Sequence, residues 1–141
     1  MKRTIAMALV GLVAMASATG CAGLGGPSEE ERVMSRVQSW SDAMMEQDVD
    51  AMMAIFADTF RHPEAGGKEQ VRLLLEMAIA QGYLDDAEAS LADMEIRVSE
   101  DGRTASAAPI VLSGPPGEIA LRADFTKGGD GQWYLTSTDL I

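Results

Sequence analysis

The chain has 141 residues, 47% of them hydrophobic, and its 22 acidic residues outweigh 11 basic ones for a net charge of −11. That balance argues against nucleic acid and anionic headgroups as charge-matched partners, because both require a basic face. A single cysteine rules out an intramolecular disulfide framework.

Lys2 and Arg3 form a short basic start, and an apolar run over 5–18 follows, interrupted only by Gly11 and Ser17. The pattern is that of a secretory signal, and it is too short for a membrane span. Ala18, Thr19 and Gly20 precede Cys21. A small-small-Cys junction resembles the bacterial lipobox, where a diacylglyceryl thioether forms on the cysteine and cleavage falls just before it; Ala18 departs from the usual Leu or Val. Residues 1–20 are thus read as a lipoprotein signal peptide, Cys21 as the lipid attachment site, and 21–28 as a Gly-rich tether. Ala22 in place of Asp implies, for a Gram-negative source, an outer-membrane lipoprotein facing the periplasm. Removing Lys2 and Arg3 leaves 9 basic residues against 22 acidic ones, a net charge of −13 on the exported domain.

Residues 29–141 make up one domain of ordinary size. Ser28 followed by Glu29, Glu30 and Glu31 opens a helix, with a hydroxyl cap and acids where the dipole favours them. Val33, Val37, Trp40 and Met44 continue it as an apolar stripe at helical spacing. Asp48 caps a second helix that buries Val49, Met52, Met53 and Phe56. Pro63 and the pair Gly66-Gly67 then break the pattern. A third helix is predicted from 68 to about 81, with Val71, Leu74, Leu75 and Ile79 inward and Gly82 suited to the left-handed cap.

Beyond Asp86 the period changes to two. Ala87, Ala89 and Leu91 lie on one parity and Met94, Ile96 and Val98 on the other, which calls for a bulge near Ala92 and Asp93. The clusters "SEDG", "SGPPG" and "KGGDG" separate four strands at hairpin spacing. Pro109, inside an apolar strand, marks an edge or a bulge. The layout is α+β: three N-terminal helices, then an antiparallel meander.

The stretches "VQSWSDAMMEQDVDAMMAIFADTF", "GGKEQVRLLLEMAIAQG" and "KGGDGQWYLTS" resemble the nuclear transport factor 2-like superfamily, in the style of its polyketide-cyclase-like branch. The resemblance implies a cone-shaped α+β barrel, helices packed into a curved sheet, a pocket at the wide end, and an extra short strand around 59–61. Its catalytic members use an Asp, sometimes with a His or Tyr, for proton transfer, and many members pair through the sheet.

Asp58 and His62, the only histidine, are therefore the candidates for catalysis. Such a pair needs the carboxylate inside a closed cavity, beside a second polar group. The bland alternative makes Asp58 a cap and His62 part of a surface loop, and it is preferred. Candidate ligand contacts are Trp40, Asp58, His62, Tyr83 and Tyr134. Trp133 and Tyr134 are adjacent on a strand, so only one of them can look into the cone. No metal and no cofactor is expected: the doublets Met44-Met45 and Met52-Met53 cannot chelate alone and read as core. The leading functional expectation is a membrane-anchored periplasmic lipoprotein whose non-catalytic domain binds a small apolar ligand or a partner protein. A homodimer through the sheet face, at strand 104–112, accompanies that reading; the alternatives are an isomerase- or dehydratase-like enzyme using a pocket Asp, and a dimeric assembly module without ligand, its cone filled by its own side chains.

Overall fold

A computed structural model describes residues 25–141. The expected signal peptide and Cys21 lie outside the described residues.

Helix α1 spans Glu29–Met45 and starts as a capping box. Ser28 Oγ accepts from the Glu31 N–H at 3.2 Å, and the Ser28 N–H donates to the Glu31 carboxylate at 2.6 Å. Helix α2, Val49–Ile55, is capped by Asp48, whose carboxylate accepts from the Ala51 N–H at 3.0 Å. The chain then makes a two-stranded ribbon, β1 (Arg61–His62) against β2 (Gly66–Gly67), and enters α3, Lys68–Ala80. The short strand anticipated at 59–61 is β1, shifted by about a residue, and His62 belongs to it rather than to a loop.

The main sheet contains β3 (Glu88–Ser90), β4 (Glu95–Val98), β5 (Thr104–Gly114), β6 (Gly117–Lys127) and β7 (Trp133–Leu140). All pairings are antiparallel, in the order β3-β5-β6-β7, with β4 beside β3 on the same edge of β5. One expected strand is therefore two. The parity conflict around Ala92 is resolved by a full break, which lies opposite the bulge at Pro109, where the β5–β6 register skips from Ala107 to Ile110. Proline has no N–H to give the ladder, so the bulge falls where pairing is already impossible. A second shift, between Asp124 and Phe125, offsets β7.

These two irregularities define the inner face. Ala105 and Ala107 face in before the Pro109 bulge, and Ile110 and Leu112 after it; on β6 the inward set is Ile119, Leu121, Ala123 and Phe125. On β7 Trp133 and Leu135 are buried before the shift, and Thr138 after it. Helix α1 crosses this face with Val33, Val37, Trp40 and Met44 buried, and α2 adds Met52, Met53 and Ile55. Phe56 and Phe60, ring centroids 4.6 Å apart, close the junction behind α2.

Helix α3 departs from expectation. None of its residues is fully buried; Val71, Leu75 and Ile79 pack partly on the core, whereas Leu74, expected inward, is 43% exposed.

Candidate functional site

Past the end of α1 the inner face of the sheet continues without helical cover. The last turn of α1 (Met44, Met45), the connection 83–88 and the ends of β5 and β6 (Leu112, Ile119) enclose a cleft of about 200 Å3. The connection is held in place from the turn that follows α1. Gln47, in a left-handed conformation with φ 56°, donates through Nε2 to the Leu84 carbonyl and the Asp85 carboxylate, each at 3.2 Å. Gly114 permits the close approach on the other side: a Cβ there would stand 3.2 Å from the Tyr83 carbonyl oxygen. The lining is apolar apart from the Tyr83 phenol, Ser113 and two exposed carboxylates, Glu88 and Glu118. Such a surface can hold an apolar molecule by contact and desolvation, and it offers no buried acid or base.

Only one candidate from the sequence, Tyr83, lies in this cleft. Asp58 is turned to solvent, its side chain 99% exposed, and pairs with Lys68 at 3.1 Å. Lys68 Nζ also donates to the Phe56 carbonyl at 3.0 Å, so the pair fastens the start of α3 to the end of α2. The enclosed carboxylate that proton transfer requires is not present at Asp58. His62 is likewise a closing residue. Its Nδ1 accepts from the backbone N–H groups of Glu64 (3.1 Å) and Ala65 (3.0 Å), holding the turn between β1 and β2. Trp40 is core, and its buried indole N–H has no hydrogen-bond partner among the described residues.

No protein-family model matches the chain, and no curated protein does. Solved structures do. A nuclear transport factor 2-like protein of unknown function from Pseudomonas putida superposes with a TM-score of 0.67 at 18% identity, covering 79% of this chain and 84% of that one. An uncharacterized protein with a cystatin-like fold from Caulobacter vibrioides gives 0.65 at 14% identity, over 81% and 91%. ActVI-ORFA from Streptomyces coelicolor gives 0.60 at 14% identity, over 78% and 94%. The chain has the nuclear transport factor 2-like fold.

Within this fold the other aromatic candidates sit at the opposite end of α1 from the cleft. Trp133 is the one that looks inward, and its indole N–H donates to Glu29 at 2.9 Å. Glu29 also takes Lys127 Nζ at 2.7 Å, and Arg36 Nε donates to the Trp133 carbonyl at 2.7 Å. Hydrogen bonds from Lys127, and then from Trp133, hold the Glu29 carboxyl below its ordinary value. Tyr134 faces outward, under the Arg36 guanidinium at 5.4 Å and hydrogen-bonded to Asp130. That bond raises the Tyr134 phenol and lowers the Asp130 carboxyl. Tyr134 therefore lies outside the cleft; with Asp58 and Lys68 it borders a separate, open recess of about 250 Å3 beside the end of α2.

Met44, on the apolar stripe expected from its spacing, is also a cleft wall, which the spacing does not announce. Periodicity reports the face of an element and not where its cover ends. Among the described residues no cluster of three or more His, Cys, Asp or Glu could hold a metal, and no helix is long and apolar enough to cross a membrane.

Proposed function

We propose that the protein is an extracytoplasmic lipoprotein, anchored through Cys21, whose nuclear transport factor 2-like domain binds a small apolar ligand without catalysing its conversion. The observation that carries the reading is the cleft at the end of α1: apolar walls, with its carboxylates confined to the rim. At about 200 Å3 it lies below the roughly 300–1,000 Å3 of pockets for drug-sized molecules, which suits a short ligand. Tether and cleft lie at opposite ends of α1, whose 17 residues span about 25 Å. An anchor on Cys21 then leaves the cleft accessible from the aqueous side.

The test uses the neutral fluorophore N-phenyl-1-naphthylamine with purified protein. Saturable enhancement is expected, weakened at least tenfold by Ile119→Trp, which fills the mouth, and unchanged by Asp58→Asn. Absence of saturation, or equal binding by Ile119→Trp, overturns the ligand reading. Loss of binding in Asp58→Asn revives the pocket-Asp enzyme. The anchor is tested separately: Cys21→Ser should move the protein from membranes to the soluble fraction.

A further inference from the structure

The cleft at the end of α1 is bordered by charge of one sign. Among the described residues no Lys, Arg or His lines it, whereas Glu88 and Glu118 do. The strand register sets these two acids in one row: Glu88 on β3 and Glu118 on β6 are both paired with Ser113 of β5 between them. Neighbouring strands lie about 4.8 Å apart, so the two positions are roughly 10 Å from one another. The next row is Ala89, Leu112 and Ile119, of which the last two line the cleft. Successive side chains alternate between faces, so the acids stand beside the apolar floor and act on the cleft through their field. Neither is neutralised. Elsewhere carboxylates face cations: Asp58 takes Lys68 at 3.1 Å, Asp50 takes Arg72 at 2.8 Å and Asp139 takes Arg122 at 2.8 Å. Among the described residues Glu88 and Glu118 have no ion pair. Asp85 and Asp86, on the connection that closes the cleft's other side, add two more acids. The outer stripe of α3 is as bare, with Leu73 60% and Met77 52% exposed, but the charges beside it are paired within the chain and select no occupant.

We propose that the cleft selects a cationic amphiphile, an inference that rests on the ligand-binding reading above and names its ligand class. A short alkyl chain lies on Met44, Leu112 and Ile119, and an ammonium head stays at the mouth. Three features favour that head. An apolar cleft edged by one sign of charge concentrates counter-ions at its opening. Tyr83, 48% exposed, is the only aromatic residue in the described lining, and a ring face attracts ammonium groups, quaternary ones included. A head at the mouth also keeps its water on the outer side, so the cost of burying a charge does not arise. A fatty acid of the same length carries the wrong sign and is rejected by the same field.

The test is isothermal titration calorimetry on the full chain carrying Cys21→Ser, so that no detergent competes, with octyltrimethylammonium, octanol and octanoate as probes of one chain length. Affinities are expected in that order. The cation should bind at least tenfold more tightly than octanoate in about 0.02 M salt, and the gap should narrow in 1 M salt, where screening acts within about 3 Å. Replacing both acids, Glu88→Gln with Glu118→Gln, should bring the cation and octanoate within threefold of one another. Tyr83→Leu should weaken the cation at least threefold. Ile119→Trp should abolish its binding, because a cation retained there is adsorbed on the acidic surface and not held in the cleft. The salt series keeps both acids, so it decides the matter even if the double variant fails to fold. Octanoate bound as tightly as the cation, a gap indifferent to salt, or cation binding that survives Ile119→Trp overturns the proposal while octanol still saturates. Saturation by none of the three overturns the ligand reading itself, and the proposal with it.

Discussion

Helices α1 and α3 carry comparable apolar patterns, yet α1 buries six residues and α3 buries none. Helix α1 lies across the inner face of the sheet and also packs on α2, so its stripe meets apolar surface along its length. Helix α3 neighbours α2 and the small β ribbon. Its inner stripe is only half covered, and its outer one is uncovered. The contrast teaches that an apolar stripe marks a surface seeking cover, whereas the sheet's extent decides which stripe obtains it within one chain.

The contrast breaks most severely at the buried stripe. Val37 is fully buried, and Val37→Asp places an unpaired charge in the core, so a loss of about 4 kcal/mol or more is expected in urea denaturation. Next comes the bond that pins the start of α1 to the sheet. Glu29 has a carboxyl pKa lowered from an ordinary 4.5, so its contribution to stability is fully present above that value and is lost as pH falls through the lowered one. Glu29→Gln should be less stable than the parent at neutral pH, and the gap should close in acid. Denaturation midpoints measured from pH 7 down to pH 3 (about 1.5 below the ordinary value) check this; a constant gap would contradict it. At the other side of that cluster, Asp130→Asn removes the bond that raises the Tyr134 phenol. One of the two tyrosines should then titrate nearer 10.0 in ultraviolet difference spectra. The smallest effect belongs to the outer stripe of α3: Leu73→Lys should change monomer stability by no more than about 0.5 kcal/mol. A large loss there would mean that α3 is covered within the chain.

Much of this was legible in the sequence. The caps Ser28 and Asp48, the stripe Val33–Val37–Trp40–Met44, the change of period after Asp86 and the mark left by Pro109 each rest on local chemistry, and the structure shows each of them. The site was less legible. Asp58 and His62 drew attention as residue types that do chemistry, but the structure gives both to closure, one fastening α3 and the other holding a two-residue ribbon. The two acceptor bonds at His62 depend on where backbone N–H groups two and three residues later happen to point, and composition carries no trace of that. Which of Trp133 and Tyr134 looks inward stays open in the sequence, because the shift of register at Asp124–Phe125 has to be known before β7 can be laid over α1.

What the sequence alone determined is therefore the order and type of the main elements and the inward stripe of α1, because capping, turn chemistry and periodicity act over a few residues. What only the tertiary structure decided is coverage: that α1 stops at Met45 while the inner face runs on to Ile119, leaving a cleft, and that α3 stands half apart with Leu73 and Met77 in solvent. Coverage depends on two bulges and one break acting together across strands, and contacts of that range leave no local pattern in the chain.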